Sequence, residues 1–151
     1  MSCDGVVELR RRLPAPVAEV FRWWTQPELL CEWMSPSGTA EVKMDLRVGG
    51  AMLIVMKHEG TVVRHVCEFL EVVPPTRLVF SWSSPYTGAQ PSIVTLELEP
   101  DGESATNLSL VHNQLPEEAA ESHRGGWGAI LDRLAGGLTP QAAEMESHRA
   151  G

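Results

Sequence analysis

The chain has 151 residues, 43% hydrophobic and 21% charged, a length that suits one domain with a real core. Its formal net charge of -8 argues against the basic face that a nucleic-acid binder or a protein docked on anionic lipid needs. No apolar run approaches the roughly 20 residues of a membrane span, and residues 1–5 show no basic-then-apolar leader pattern, so a cytoplasmic location is expected.

Residues 7–13 alternate, with Val7, Leu9 and Leu13 on one face and Arg11 interrupting it, which predicts a strand. The run Arg10-Arg11-Arg12 reads as a solvated strand face or edge protection, or else as a phosphate or partner site. Pro14-Ala15-Pro16 ends the strand. A helix follows with Val17, Val20, Phe21 and Trp24 on one face, and Thr25-Gln26-Pro27 breaks it. Residues 27–34 make a second short helix. From Thr39 the period becomes two, with Ala40, Val42, Met44 and Leu46 alternating against Glu41, Lys43 and Asp45. Gly49-Gly50 is a turn or bulge, residues 51–58 a strand, and Glu59-Gly60 a hairpin connection. Residues 61–73 form a long strand ended by Pro74-Pro75, and residues 76–83 another. Val94, Leu96 and Leu98 lie on a strand that turns at Pro100-Asp101-Gly102. Thr106, Leu108 and Leu110 lie on the last strand, ending near His112.

Residues 116–138 predict one long helix, roughly 30 Å at 1.5 Å per residue. Trp127, Ile130, Leu131, Leu134 and Leu138 recur at helical spacing, Glu117 and Glu118 suit the positive N-terminal end, and Gly136-Gly137 with Pro140 supply stop signals. Its apolar stripe needs a surface, and the strands are the candidate. The class is therefore α+β, with successive hairpins implying an antiparallel sheet. A single domain is expected over residues 1–138, and a tail or helix extension over 139–151.

Five Trp against one Tyr is an unusual ratio, and Trp residues belong in a core or a pocket wall. A curved sheet and one helix rarely fill all the space between them. Met34, Met44, Met52, Met56, Phe69, Phe80, Trp82 and Trp127 are candidate lining residues, joined by Trp33 and Leu131; the alternative is that they are plain core. Among the histidines, His112 is in phase with Leu108 and Leu110, His58 with Met52, Ile54 and Met56, and His123 lies one turn before Trp127. Each is either a polar contact or general base in a pocket, or a hydrogen-bonded structural residue. His112 is the favoured polar contact for a ligand. No cofactor or metal site is expected: His58 and His65 flank a hairpin at unequal distances, and no Cys pair or His-x-x-x-His spacing occurs. No Gly-x-Ser-x-Gly motif occurs, and Cys3, Cys31 and Cys67 read as reduced thiols. Gly125, Gly126 and Gly128 inside the long helix imply either a loosened entrance or close packing of its backbone.

This order of elements, with certain residues, resembles the START-like (SRPBCC, helix-grip) superfamily, in the branch of the activator of heat-shock-protein ATPase homologues. The matching pieces are Leu13-Pro14-Ala15-Pro16 with Val20-Phe21, Trp24-Thr25-Gln26-Pro27-Glu28-Leu29-Leu30 and Trp33-Met34-Ser35-Pro36. They continue with Asp45-Leu46-Arg47-Val48-Gly49-Gly50, Glu71-Val72-Val73-Pro74-Pro75 leading into Phe80-Ser81-Trp82, and His123 with Gly126-Trp127. The resemblance implies a curved sheet gripping the C-terminal helix, two short helices closing one end, and a cavity that in many relatives holds an apolar small molecule.

Three functions follow. The first is a binding module for a small apolar or amphipathic molecule. The second is a cavity enzyme of cyclase, aromatase or hydrolase type, for which no paired carboxylates speak. The third is a stress-response or co-chaperone-like interaction module. A homodimer through Trp23 or a free sheet edge is left open.

Overall fold

Residues 6–35, 40–58, 60–85 and 91–138 are described in the computed structural model of the chain, His58 by its backbone alone. In order they form β1 (Val7–Leu13), α1 (Val17–Thr25), α2 (Pro27–Trp33), β2 (Ala40–Met44), β3 (Ala51–His58), β4 (Thr61–Val73), β5 (Arg77–Trp82), β6 (Ser92–Pro100), β7 (Thr106–Asn113) and α3 (Glu117–Gly137). The expected tail at 139–151 lies outside the described residues.

The seven strands make one curved antiparallel sheet in the order β1-β7-β6-β5-β4-β3-β2. From β2 to β7 each strand pairs with the next in sequence. Only β1 departs from this, pairing with β7 at the far edge. The first two strands thus sit at opposite edges, and α1 and α2 carry the chain from one to the other. Period-two burial runs through β6 and β7, where Ser92, Val94, Leu96 and Leu98 and Thr106, Leu108, Leu110 and His112 point inward. Trp127, Ile130, Leu131 and Leu134 of α3 close over this face, and Val20, Phe21, Trp24, Leu30 and Trp33 close one end. Arg11 does lie on the inward face of β1. Its guanidinium reaches Asp132 of α3 at 3.5 Å, so its stem covers the sheet edge while its charge stays wet.

One local expectation is corrected. The alternation from Ala40 does not reach Leu46, which is exposed, because β2 ends at Met44 and residues 45–50 fold into a tight loop. There the Gly50 amide donates to the Arg47 carbonyl, and Gly49 (φ +83°) donates to the Phe69 carbonyl. A Cβ on Gly50 would lie 2.1 Å from the Asp45 carbonyl oxygen, so only glycine fits. β4 spans Thr61–Val73 as expected, with one break in its inward phase. His65, Cys67 and Phe69 face inward, Leu70 and Glu71 are both exposed, and Val72 resumes the inner face, because the register with β5 slips between Phe69 and Glu71. A bulge there bends the strand and tightens its twist. Gly136 and Gly137 form the last turn of α3, which ends at Gly137. Gly137 also leaves room for Trp23, whose ring carbons come within 2.8 Å of where a Cβ would stand.

Candidate aromatic binding site

Side chains from five elements meet under α3 in a continuous run of rings. Trp33 of α2 stands edge-on to Trp24 of α1 at 4.7 Å between centroids, and Trp24 stacks on Trp127 of α3 at 6.4 Å. Trp127 meets Trp82 of β5 at 5.1 Å. From Trp82 the run continues through Phe80 to Phe69 of β4, at 6.4 and 6.2 Å. Of the residues expected to line a pocket, Trp33, Phe69, Phe80, Trp82 and Trp127 are therefore brought together. Met52 and Leu131 belong to the same buried cluster, and Met44 and Met56 pack against it half-buried. Met34 is buried as well.

Histidines flank this run. His65 lies 4.7 Å from the Trp82 ring, His112 lies 5.8 Å from it, and His123 stands edge-on to His112 at 5.2 Å. His112 is buried, and both its nitrogens are engaged. The Trp127 indole N–H donates to Nδ1 at 2.9 Å, and Nε2 lies 2.7 Å from the Ser92 hydroxyl, which in turn donates to the Trp82 carbonyl at 2.8 Å. An indole nitrogen only donates, so Nδ1 must accept and the proton must sit on Nε2. The proton order is then fixed from Trp127 through His112 and Ser92 to the Trp82 backbone. Burial, with His123 and His65 nearby, pushes the His112 pKa down to about 3. Burial likewise pushes His65 down to about 4, against a hydrogen bond from its Nδ1 to the Ile54 carbonyl at 3.3 Å. His123 is half-buried and donates back to the Ala119 carbonyl through Nδ1 at 2.9 Å. His112, expected as a polar contact for a ligand, thus spends its polar capacity inside the protein. The His58 side chain lies outside what is described.

Not every polar group here is satisfied. The indole N–H groups of Trp24, Trp33 and Trp82, residues only 2%, 2% and 3% exposed, have no hydrogen-bond partner. Trp127 and Trp23 differ: Trp127 donates to His112, and Trp23 donates to Glu19 at 2.9 Å. Trp23, considered for a dimer surface, is engaged by Glu19 and by α3. On α3, neither Gly125 nor half-buried Gly126 has any atom within 4 Å of its Cβ position, and Gly128 meets only Arg11 at 3.8 Å. Close packing of the helix backbone therefore does not explain these glycines.

Sequence reasoning passed over Trp24, Ser92 and His65 as members of this site. Trp24 was legible only as a helix face. His65 shares the inward phase of Cys67 and Phe69, which was a usable signal. Ser92 matters only because β6 sets it opposite Trp82, a register no local pattern reveals.

Other candidates fall away. Among the described residues no group of three or more His, Cys, Asp or Glu side chains is placed to hold a metal ion, and no helix is long and apolar enough to cross a membrane. Burial pushes the Cys67 thiol pKa up, which makes it inert. An outer groove is lined by Arg10, Arg12, Arg77, Glu97 and Glu99. Its cations are already paired: Arg10 with Glu8, Arg12 with Asp101, and Arg77 with Glu71 and Glu97.

Comparison with known proteins agrees with this architecture. The family model described as activator of Hsp90 ATPase homolog 1-like protein matches residues 14–139. Protein NE0264 from Nitrosomonas europaea is similar at 26% identity and a TM-score of 0.78, over 95% of this chain and 99% of that one. Protein CV1439 from Chromobacterium violaceum is similar at 29% identity and 0.79, over 90% and 98%. CalU16 from Micromonospora echinospora is similar at 30% identity and 0.70, over 95% and 82%. No curated protein matches the chain.

Proposed function

The chain belongs to the activator of Hsp90 ATPase homolog 1-like family, and from that premise we propose that it binds a small hydrophobic molecule between the sheet and α3. The observation that carries this reading is the aromatic run from Trp33 to Phe69, with three buried indole donors left unmade. A finished core pairs its buried polar groups, whereas a binding site keeps some for its guest. Trp33, Phe80, Trp82, Trp127 and Leu131 form the walls in this reading. Met44, Met52 and Met56 supply an adaptable side, and Phe69 closes the far end. His112 serves by holding the Trp127 indole rather than by touching the ligand.

An enzymatic role finds less support. A general base must accept a proton at the working pH, and both His65 and His112 are held neutral by burial, His112 with no lone pair to spare.

Native mass spectrometry of the purified protein, followed by thermal-shift screening against sterols, polycyclic aromatics and apolar carboxylates, tests the proposal. A ligand at one hundred times its dissociation constant adds about 2.7 kcal/mol and a visible rise in melting temperature. The shift should vanish in Trp127→Ala while circular dichroism stays native. No co-purified mass and no shift across the panel would sink the reading.

A further inference from the structure

From the polarity of the unmade hydrogen bonds we infer that the ligand is neutral and carries acceptor oxygens of the ketone, quinone or lactone kind. This rests on the ligand-binding reading above and specifies it. The interior offers more unmade donors than acceptors. The indoles of Trp24, Trp33 and Trp82 are unpartnered, and an indole can only donate. Most acceptors of the inner wall are consumed within the protein: His112 Nδ1 by Trp127, the Ser92 oxygen by His112, and the Ala15 carbonyl by the Thr106 hydroxyl at 2.8 Å. Among the described residues Asn113 Oδ1 is buried without a partner, but Asn113 alternates to the opposite face of β7 from His112, and His65, donating from Nδ1 to the Ile54 carbonyl, keeps a lone pair on Nε2. A ligand presenting N–H or O–H groups therefore finds one answering atom in this wall, His65 Nε2, whereas one presenting oxygen lone pairs finds three indole donors.

Charge is excluded by the same wall. Among the described residues the buried polar groups are Ser35, His65, Ser92, Thr106 and His112, with no Asp, Glu, Lys or Arg. Both buried histidines stay neutral, so a carboxylate or an ammonium ion in this site would be desolvated without a counter-charge, which is prohibitive. Water is a poor substitute. A buried water needs about three partners and must place its own two protons, and ring faces with donor edges give it nowhere to put them. A carbonyl oxygen only accepts. The donors are also spread, with Trp24 and Trp33 at the α1–α2 end and Trp82 on β5 beyond Trp127. A flat, extended ligand with oxygen toward its ends suits this spacing and the ring faces between.

The test uses three probes of nearly one shape: 9-fluorenone, fluorene and 9-fluorenecarboxylate. Affinities are measured on the full chain by tryptophan fluorescence, with indole N–H signals followed in 15N–1H spectra. Fluorenone should bind about tenfold or more tighter than fluorene, the worth of one buried donor satisfied. The carboxylate should bind no better than fluorene. With fluorenone, but not fluorene, the N–H signal of at least one of Trp24, Trp33 and Trp82 should move downfield while that of Trp23 stays. Replacing that residue by Phe should bring fluorenone and fluorene to equal affinity, both measured in the same variant. Should the variant fail to fold, the N–H shift in the unaltered protein still decides. Equal affinities for fluorenone and fluorene overturn the inference and leave the binding reading standing, and solvent contact at all three indoles would then identify water as their partner. Tightest binding of the carboxylate overturns neutrality. Failure of all three probes to bind overturns the inference, and the wider ligand panel then decides the binding reading by itself.

Discussion

At His112 three hydrogen bonds in series decide a protonation state. Protonating the ring would put a second donor against the Trp127 indole, so neutrality is enforced by geometry as well as by burial. The consequence for stability has a definite sign. An unfolded histidine titrates near 6.5, while His65 and His112 in the fold titrate near 4 and 3. Below pH 6.5 the unfolded chain binds protons that the native chain refuses, so stability is full above that pH and falls below it. The loss continues through about pH 4 for His65 and pH 3 for His112, at about 1.4 kcal/mol per pH unit for each. Urea unfolding between pH 7 and 5 should show a slope approaching two protons, and His112→Gln should reduce it by about one. A flat profile across that interval would mean that the two rings are charged or wet in the native state.

At the scale of an element, α3 holds glycines of opposite meaning. Gly125 and Gly126 sit mid-helix with open space at their Cβ positions, whereas Gly137 sits where the Trp23 ring presses on the backbone. Gly125→Ala and Gly126→Ala should each stabilise the protein by up to about 1 kcal/mol, the difference in helix propensity. Gly137→Ala should destabilise it by about 1–3 kcal/mol through overpacking, although the same propensity argument favours it. Melting temperatures of the three variants check this, and equal signs would refute it. The contrast shows what was legible. The stripe of Trp127, Ile130, Leu131 and Leu134 announces the helix through its spacing alone. Whether a glycine of α3 faces the Trp23 ring of α1 or open space depends on how the elements pack, and no local pattern reports it.

Across the whole molecule, the same division holds. Alternation in β6 and β7 and the proline and glycine breaks between strands disclosed the seven strands and their hairpins, because each depends on neighbours in sequence. The bulge at Leu70, the pairing of Ser92 with Trp82 and the unmade indole bonds depend on register and packing, so they emerged only with the fold. Register also separates two kinds of contact. The β3–β4 hairpin joins residues close in sequence, while β1 meets β7 roughly a hundred positions away, a contact whose loop-closure cost slows folding. In denaturant-dependent kinetics, Ile54→Val in β3 should mainly slow refolding, and Leu9→Ala in β1 should mainly speed unfolding. The reverse pattern would place β1 in the folding nucleus.

That placement of β1 matters also while the chain is being made. At about 5–20 residues per second, the first strand leaves the ribosome roughly 5–20 s before its partner exists. Throughout that interval an extended segment with unmet backbone groups waits in a crowded solution. Its exposed row of Glu8, Arg10 and Arg12 guards it, since charges along one face oppose pairing with the nascent chain next door. Those arginines, which need no ligand to account for them, secure the strand's freedom until β7 arrives.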